Sequence, residues 1–303
     1  MLNFYFFGDL CPVAVEAKID ELIEERAQWL MRPNLPALLA KTFLLHILNY
    51  KKTITLAKKL ESFNEKEILN FMGKYISRNV SYEGLNHIPE TGGALIVSNH
   101  PTGIADGLVL NFLVSKKRQD SYLLANRDVL RIFPQLKNRI APVEWRSEKR
   151  CFSDSRDTLF FLNKAIKANR IGLVFPSGRI AKRKGLHLEE RHWTNSIAIL
   201  SKKYNLPVIP VHIKARNSIL FYLFDLIHPS LRDITLFFET LNKSKEHFNI
   251  KIGDAIQPQI LDNDSFKATT HIKQTVLNLG KSNDYFTDNA RKKRMLINGY
   301  SFR

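Results

Sequence analysis

Four short apolar runs, each the length of a β-strand, constrain the fold of this chain most strongly. They read GALIVSN (93–99), SYLLAN (121–126), IGLVFPSG (171–178) and LPVIPVHIKA (206–215). Segments with apolar residues at helical spacing separate them, so strands and helices alternate. Such alternation is typical of a parallel sheet, because each parallel connection has to cross the sheet, usually as a helix. We therefore predict an α/β fold with a central, mostly parallel sheet flanked by helices.

The part of the chain before the strands is expected to be helical, because apolar residues recur at helical spacing from residue 14 to residue 78. Within residues 37–60, one stripe contains Phe43, Leu44, Ile47 and Leu48. This stripe fits a helix that faces the core, and it also fits a helix that lies in a membrane interface. The predicted organisation is an N-terminal helical region (1–78), an α/β domain (79–260) and a C-terminal helical and basic tail (261–303).

The charge of the chain predicts anionic partners. Its formal net charge is +17 and its pI is about 9.8, which suits nucleic acid, an acidic membrane surface or a phosphorylated substrate. No zinc finger, aromatic RNA-binding block or helix-turn-helix pattern is visible, so a nucleic-acid partner is not expected. The two cysteines, Cys11 and Cys151, have no metal-ligand spacing, so no metal site is expected either. No apolar run is long enough for a spanning helix, and the N-terminus lacks the pattern of a signal peptide.

The stretch SNHPTGIADG, residues 98–107, follows the first strand and contains the most suggestive pair of side chains. Pro101 and Gly103 predict a sharp turn, which would leave His100 at the rim of the sheet and Asp106 in the first turn of a helix. Across that turn the carboxylate can hold one ring nitrogen and leave the other as a proton acceptor. Such a His–Asp pair without a serine suits deprotonation of a substrate hydroxyl. A purely structural alternative is that Asp106 caps a helix and His100 is partly buried.

At these residues the sequence resembles the glycerolipid and lysophospholipid acyltransferase superfamily, whose motif is a histidine and an aspartate separated by four residues. NHPTGIAD has five intervening residues and matches the bacterial, hemolysin-like branch with NHP-x-G-x-x-D-G. Further blocks follow in the family order. They are RIAPVEWR (139–146), VFPSGR (174–179), LPVIPVHIKARNS (206–218) and IKIGDAI (250–256). The resemblance covers residues 80–257.

The resemblance implies acyl transfer from acyl-CoA or acyl-carrier protein, as co-substrate, to the hydroxyl of a lysophospholipid or related lyso-lipid. No cofactor is expected. His100 would be the general base and Asp106 would orient it. The residues implied to bind substrate are Arg146, Phe175, Pro176, Ser177, Gly178 and Arg179. The arginines are phosphate-binding candidates, and backbone N–H groups around Ser177 and Gly178 are candidate oxyanion donors.

One departure from the family pattern bears on the acceptor. Ser177 stands where the family has a glutamate, which favours a lysophospholipid, or a non-phosphate lipid such as lyso-ornithine lipid, over glycerol 3-phosphate. The same departure leaves open a non-catalytic protein that binds anionic lipid. The apolar stretch 217–238 would be mostly core, with part of it lining an acyl groove or touching the bilayer. A peripheral position on the cytoplasmic side of the bacterial inner membrane is expected.

Overall fold

The computed structural model describes residues 14–144, 152–185 and 187–281, with no account of the side chains of residues 152–155. Within these ranges there are nine strands, of which seven form one sheet in the order β1-β9-β8-β2-β5-β3-β4, while β6 and β7 form a separate hairpin. The strands are β1 (Val80–Glu83), β2 (Ala94–Ser98), β3 (Tyr122–Asn126), β4 (Ile140–Val143), β5 (Ile171–Val174), β6 (Lys182–Lys184), β7 (His187–Glu189), β8 (Val208–Lys214) and β9 (Phe248–Ile252).

The predicted α/β fold is confirmed. Neighbouring strands of the large sheet run parallel except for β8 and β9, which pair antiparallel. As a result β2, β3, β4, β5 and β8 all end at the same edge of the sheet. This edge is where ligands bind in folds of this type, because the loops that follow parallel strands converge there.

Helices surround the sheet and also precede it. They are α1 (Val15–Arg26), α2 (Leu35–Ile47), α3 (Tyr50–Glu61), α4 (Glu65–Ile76), α5 (Ile104–Val114), α6 (Asp128–Ile132), α7 (Phe152–Lys167), α8 (Ser196–Tyr204), α9 (Ile219–Ile227), α10 (Pro229–Ile234), α11 (Leu236–Asn242) and α12 (Ser265–Lys281). The helical reading of residues 37–60 needs one correction, because α2 and α3 are separate helices. Asn49 has a φ of 51° between them, and this left-handed conformation ends one helix before the next begins.

Alternate residues of β2 supply the two faces of the sheet, as the pleat requires. Ala94 and Ile96 pack into one apolar cluster with α4 and α5, while Leu95 and Val97 pack into another with α7, α8 and α12. All four side chains are almost fully buried. The central strand that ends at the motif is therefore covered on both faces, which fixes the position from which the motif turn starts.

A third apolar cluster joins the N-terminal helices to the rest of the molecule through α6, α9 and α10. Arg26 on α1 donates a hydrogen bond of 2.5 Å to Asp128 on α6, and both side chains are largely buried. Only part of the predicted apolar stripe on residues 43–48 packs into this cluster, since Leu44 and Leu48 are buried whereas Phe43 is 64% exposed. The core-facing reading thus holds for one side of α2, and the opposite side presents apolar residues to solvent.

The predicted C-terminal helix is present as α12, which packs Ala268, Ile272 and Val276 into the cluster beneath α8. The basic segment after it lies outside the described residues, and the domain boundaries at residues 78 and 260 stay predictions. Along the described part of the chain, no helix combines the length and apolar character that crossing a bilayer requires.

The partly buried ring of His212 predicts acid sensitivity of the fold. Burial, helped by the charges of Lys251 and Lys214, lowers the pKa of His212 to about 4, whereas an unfolded histidine titrates near 6.5. Below pH 6.5 the histidine binds a proton in the unfolded chain, whereas in the folded chain it stays neutral until the pH approaches 4. The free energy of unfolding therefore falls as the pH drops. Between pH 7 and pH 5 this histidine should cost about 2 kcal/mol of unfolding free energy.

Urea unfolding of the wild type and of His212→Gln at both pH values measures this cost. The variant should lose about 2 kcal/mol less than the wild type on acidification. His271→Gln, at an exposed position on α12, serves as the control and should behave like the wild type. Equal acid-induced losses in wild type and His212→Gln would contradict the prediction.

Candidate active site

Two turns meet at the carboxyl edge of the sheet because β2 and β5 are neighbouring parallel strands. The turn after β2 contains His100, and the turn after β5 begins at Phe175. Asn99 ties the first turn to β8, since its amide donates to the Ile213 carbonyl at 2.9 Å and accepts from the Ile213 N–H at 2.8 Å. The motif is therefore tied to β8 on one side of β2, and the turn after β5 lies on the other side.

The structure brings the imidazole of His100 and the carboxylate of Asp106 together. Nδ1 of His100 lies 2.9 Å from Oδ2 of Asp106. The Asp106 side chain is fully buried, whereas 17% of the His100 side chain is exposed. A carboxylate can only accept hydrogen bonds when ionised, so Nδ1 carries the proton and Nε2 has the free lone pair. This arrangement can accept a proton from a group that approaches the exposed side of the ring.

Asp106 is positioned by the backbone of the same turn. Its Oδ2 accepts from the N–H groups of Thr102 at 2.8 Å and Gly103 at 3.0 Å, and its Oδ1 accepts from the Thr102 hydroxyl at 2.5 Å. Gly103 has a φ of 99°, and a Cβ there would lie 2.9 Å from Ile180. Glycine is needed at this position because of its φ, since the terminal methyl group of Ile180 could move aside. The carboxylate also lies at the N-terminus of α5, where the helix dipole favours negative charge.

Phe175 touches the histidine directly. Its ring stacks on the imidazole of His100, with 4.4 Å between the ring centroids and 26° between the planes. The contact covers one face of the imidazole. Phe175 is thus a predicted site residue that the structure places against the pair.

The other residues of this block have more indirect positions. The carbonyl of Pro176 accepts from both the N–H and the hydroxyl of Thr194, each at 3.1 Å. The Ser177 hydroxyl donates to the Arg179 carbonyl, and the Gly178 N–H donates to the Phe175 carbonyl at 2.9 Å. The Gly178 N–H is therefore already used by the turn, and an oxyanion role for this turn stays a prediction.

Of the two candidate arginines, the structure describes only Arg179. Arg179 is exposed after the turn, so its guanidinium can meet a ligand from solvent. Arg146 lies outside the described residues. A hairpin of β6 and β7 follows Arg179, and the side chains of its first strand, Lys182–Lys184, are all exposed.

Sequence reasoning missed two residues of this region. Glu190 accepts a hydrogen bond of 3.1 Å from the backbone N–H of His100, across 90 positions of the chain. Tyr222 on α9 lies with its ring 5.7 Å from the Arg183 guanidinium, and its hydroxyl accepts from the N–H of Asn217. No local sequence pattern predicts either contact, because both residues come from segments whose position depends on the whole fold.

The electrostatic environment of Tyr222 connects α9 with the His–Asp pair. Burial raises the pKa of the Tyr222 phenol, and the carboxylates of Glu239 and Asp106 act in the same direction. The phenol consequently stays protonated and neutral near the site at physiological pH. Tyr222 is therefore within electrostatic range of Asp106, while Phe224 on the same helix packs into the third apolar cluster.

Comparison with known proteins identifies the class to which this fold and motif belong. The acyltransferase family model matches residues 79–214, which run from the start of β1 to the end of β8 and include both turns. Residues 79–214 thus match an acyltransferase domain, and this match supports the glycerolipid acyltransferase superfamily. The resemblance noted from its motifs is confirmed.

Two characterised relatives share the name lyso-glycine lipid O-acyltransferase. The protein from Phocaeicola vulgatus is 24% identical over 227 residues, which cover 73% of this chain and 80% of the relative. The protein from Bacteroides thetaiotaomicron is 23% identical over 149 residues, which cover 49% of this chain and 53% of the relative. The crystal structure of the 1-acyl-sn-glycerophosphate acyltransferase PlsC from Thermotoga maritima superposes with a TM-score of 0.47 at 13% identity, covering 88% of this chain and 94% of that one.

Replacement of Asp106 by asparagine should destabilise the protein strongly. The amide would turn donor hydrogens toward a pocket whose other members already donate, leaving buried groups unpaired. We expect a loss of about 2–4 kcal/mol in unfolding free energy. Thr102→Val, which removes only the hydroxyl donor, should cost about 1 kcal/mol. Urea unfolding checks both values, and equal stability of Asp106→Asn and the wild type would contradict the assigned network.

Proposed function

We propose that the protein transfers a fatty acyl group from a thioester, acyl-CoA or acyl-carrier protein, to the hydroxyl of a lyso-lipid, with His100 as general base and Asp106 as its orienting partner. The hydrogen bond between Nδ1 of His100 and the buried Asp106 carboxylate carries this proposal. It supplies an imidazole of fixed tautomer at the carboxyl edge of the sheet. General base catalysis of this kind contributes about 10²–10⁴-fold to a rate.

The reaction balances without a covalent acyl-enzyme. Nε2 of His100 takes the proton of the lipid hydroxyl as its oxygen forms a bond to the thioester carbonyl carbon. The carbon–sulfur bond then breaks, and the thiolate leaves with the proton that the imidazolium returns. Asp106 stabilises the positive ring between these events, because a buried carboxylate interacts strongly with a charge in direct contact.

The acceptor we propose is a lyso-lipid with an amino-acid head group, such as lyso-glycine lipid. Two considerations support this class. The Phocaeicola vulgatus relative named for lyso-glycine lipid matches 73% of this chain, a share long enough to include both turns of the site, and Ser177 replaces the glutamate that the family pairs with glycerol-phosphate acceptors. Exposed Arg179 and the basic strand β6 suit the carboxylate of such a head group, since guanidinium groups bind carboxylates well.

Purified protein should therefore release free thiol from acyl-CoA or acyl-carrier protein when lyso-glycine lipid is supplied, and mass spectrometry should find the doubly acylated product. His100→Ala should lower the rate by about 10²–10⁴-fold. The exposed His271→Ala is the matched control and should leave the rate unchanged. Lysophosphatidic acid and lyso-ornithine lipid, offered in parallel, measure the preference for the acceptor.

The outcomes separate the candidate functions. A His100→Ala rate equal to the wild-type rate would overturn the role of the imidazole. Vesicle binding without thiol release from either donor, across all three acceptors, would favour the non-catalytic lipid-binding protein instead. A clear preference for lysophosphatidic acid would refute the amino-acid lipid and leave the acyl transfer intact.

Peripheral contact with an anionic membrane, on the cytoplasmic side of the bacterial inner membrane, is part of the proposal. The first helix involved, α2, exposes one side bearing Leu35, Leu38, Leu39 and Phe43, each at least 60% exposed. The second helix, α9, exposes Ile219, Leu223, Leu226 and Ile227 while burying its opposite side. Exposed apolar rows of this size are typical of surfaces that enter a lipid interface. The net charge of +17 favours anionic lipid.

The double variant Leu38→Gln and Leu39→Gln should bind vesicles of anionic phospholipid at least tenfold more weakly, because each leucine contributes about 1.5–3 kcal/mol when fully buried. Co-sedimentation with vesicles measures the binding. Phe266→Gln, which alters an exposed apolar residue on α12, should bind as the wild type does. Unchanged binding of the double variant would exclude α2 from the contact.

A further inference from the structure

The hairpin of β6 and β7 is joined to His100 at both of its ends. Ala181, just before β6, donates its N–H to the His100 carbonyl at 2.8 Å. Glu190, just after β7, accepts the His100 N–H on Oε2 at 3.1 Å. The two polar groups of the His100 backbone are thus bound by the two residues that flank one hairpin.

Glu190 also connects this contact to the core. Its Oε1 accepts a hydrogen bond of 3.0 Å from the indole N–H of Trp193, whose side chain is 2% exposed and packs in the cluster beneath α7 and α8. The base of the hairpin is closed by the Arg191 guanidinium, which donates to the Ile180 carbonyl at 2.9 Å. The carboxylate therefore stands between a fixed indole and the backbone of the histidine.

We infer that Glu190 is a positioning residue for acyl transfer: it holds the His100 backbone so that the imidazole stacks on Phe175 and keeps Nδ1 on Asp106. The inference rests on the proposed function of His100. Asp106 and Phe175 both contact the imidazole ring of His100. Glu190 binds the backbone N–H of His100, and it therefore restrains the main chain, which the two contacts to the ring do not. Small displacements of a reacting group are costly, since about 1 Å can reduce a rate by 10²-fold.

Two substitutions at position 190 and one beside it test this role. Glu190→Leu removes both acceptors, whereas Glu190→Gln keeps one oxygen for the two N–H donors. Glu189→Gln is the matched control, because Glu189 is exposed and pairs with Lys184 across the hairpin at 3.3 Å. We expect kcat to fall about 10²-fold in Glu190→Leu and about tenfold in Glu190→Gln, with KM for donor and acceptor within threefold. Glu189→Gln should retain the wild-type kcat.

A second readout needs no substrate. The Phe175 ring lies over the imidazole, so its ring current moves the His100 ring protons upfield in a proton NMR spectrum. Their signals are identified by their loss in His100→Gln. In Glu190→Leu these signals should move toward their random-coil positions, in Glu190→Gln they should move part of the way, and in Glu189→Gln they should stay.

Each outcome decides the question. A Glu190→Leu enzyme with kcat within twofold of wild type, or with unmoved His100 signals, would overturn the positioning role. If that variant does not fold, Glu190→Gln decides, and values equal to those of Glu189→Gln overturn it as well. A wild type that is inactive on every acceptor, with signals that move as expected, would refute the proposed function and support the placement of His100 by Glu190.

Discussion

The buried carboxylate of Asp106 is the group on which the geometry of the site depends. It accepts hydrogen bonds from the Thr102 N–H, the Gly103 N–H, the Thr102 hydroxyl and Nδ1 of His100. A buried charge without such partners would cost several kcal/mol, so the turn has to close around it. Closure of the turn places the imidazole at the exposed edge of the sheet, and the proposed proton transfer follows from that position.

The scaffold around this turn explains why it can be so constrained. Strand β2 is covered on both faces, and Asn99 hydrogen-bonds the backbone of β8 immediately after β2 ends. Phe175 reaches the histidine because β5 is the neighbour of β2 on the other side. Ala181 and Glu190, which flank the hairpin of β6 and β7, then bind the polar groups of the His100 backbone. Three separate segments therefore hold one imidazole, while its Nε2 stays available to a substrate.

The relation between Ser177 and Glu190 shows how sequence reasoning can count a residue as missing. The family motif has a carboxylate where Ser177 stands, and this difference left a non-catalytic lipid-binding protein open as an alternative. In the structure the carboxylate of Glu190 contacts the motif turn from thirteen positions further along the chain. A motif comparison sets Ser177 against the family glutamate. The carboxylate that contacts the motif turn in the folded protein is instead the one of Glu190. The Ser177 hydroxyl itself donates to the Arg179 carbonyl.

The sequence by itself determined the alternation of strands and helices, the parallel sheet and the closeness of His100 to Asp106. These features are local: apolar spacing defines each element, and six residues with a proline and a glycine leave few ways to turn. Tertiary structure alone decided that Phe175 stacks on the imidazole, that Glu190 binds its backbone and that only one side of α2 is covered. Those contacts join segments that lie far apart in the chain. Their meeting depends on strand order and helix packing, and local periodicity carries no information about either.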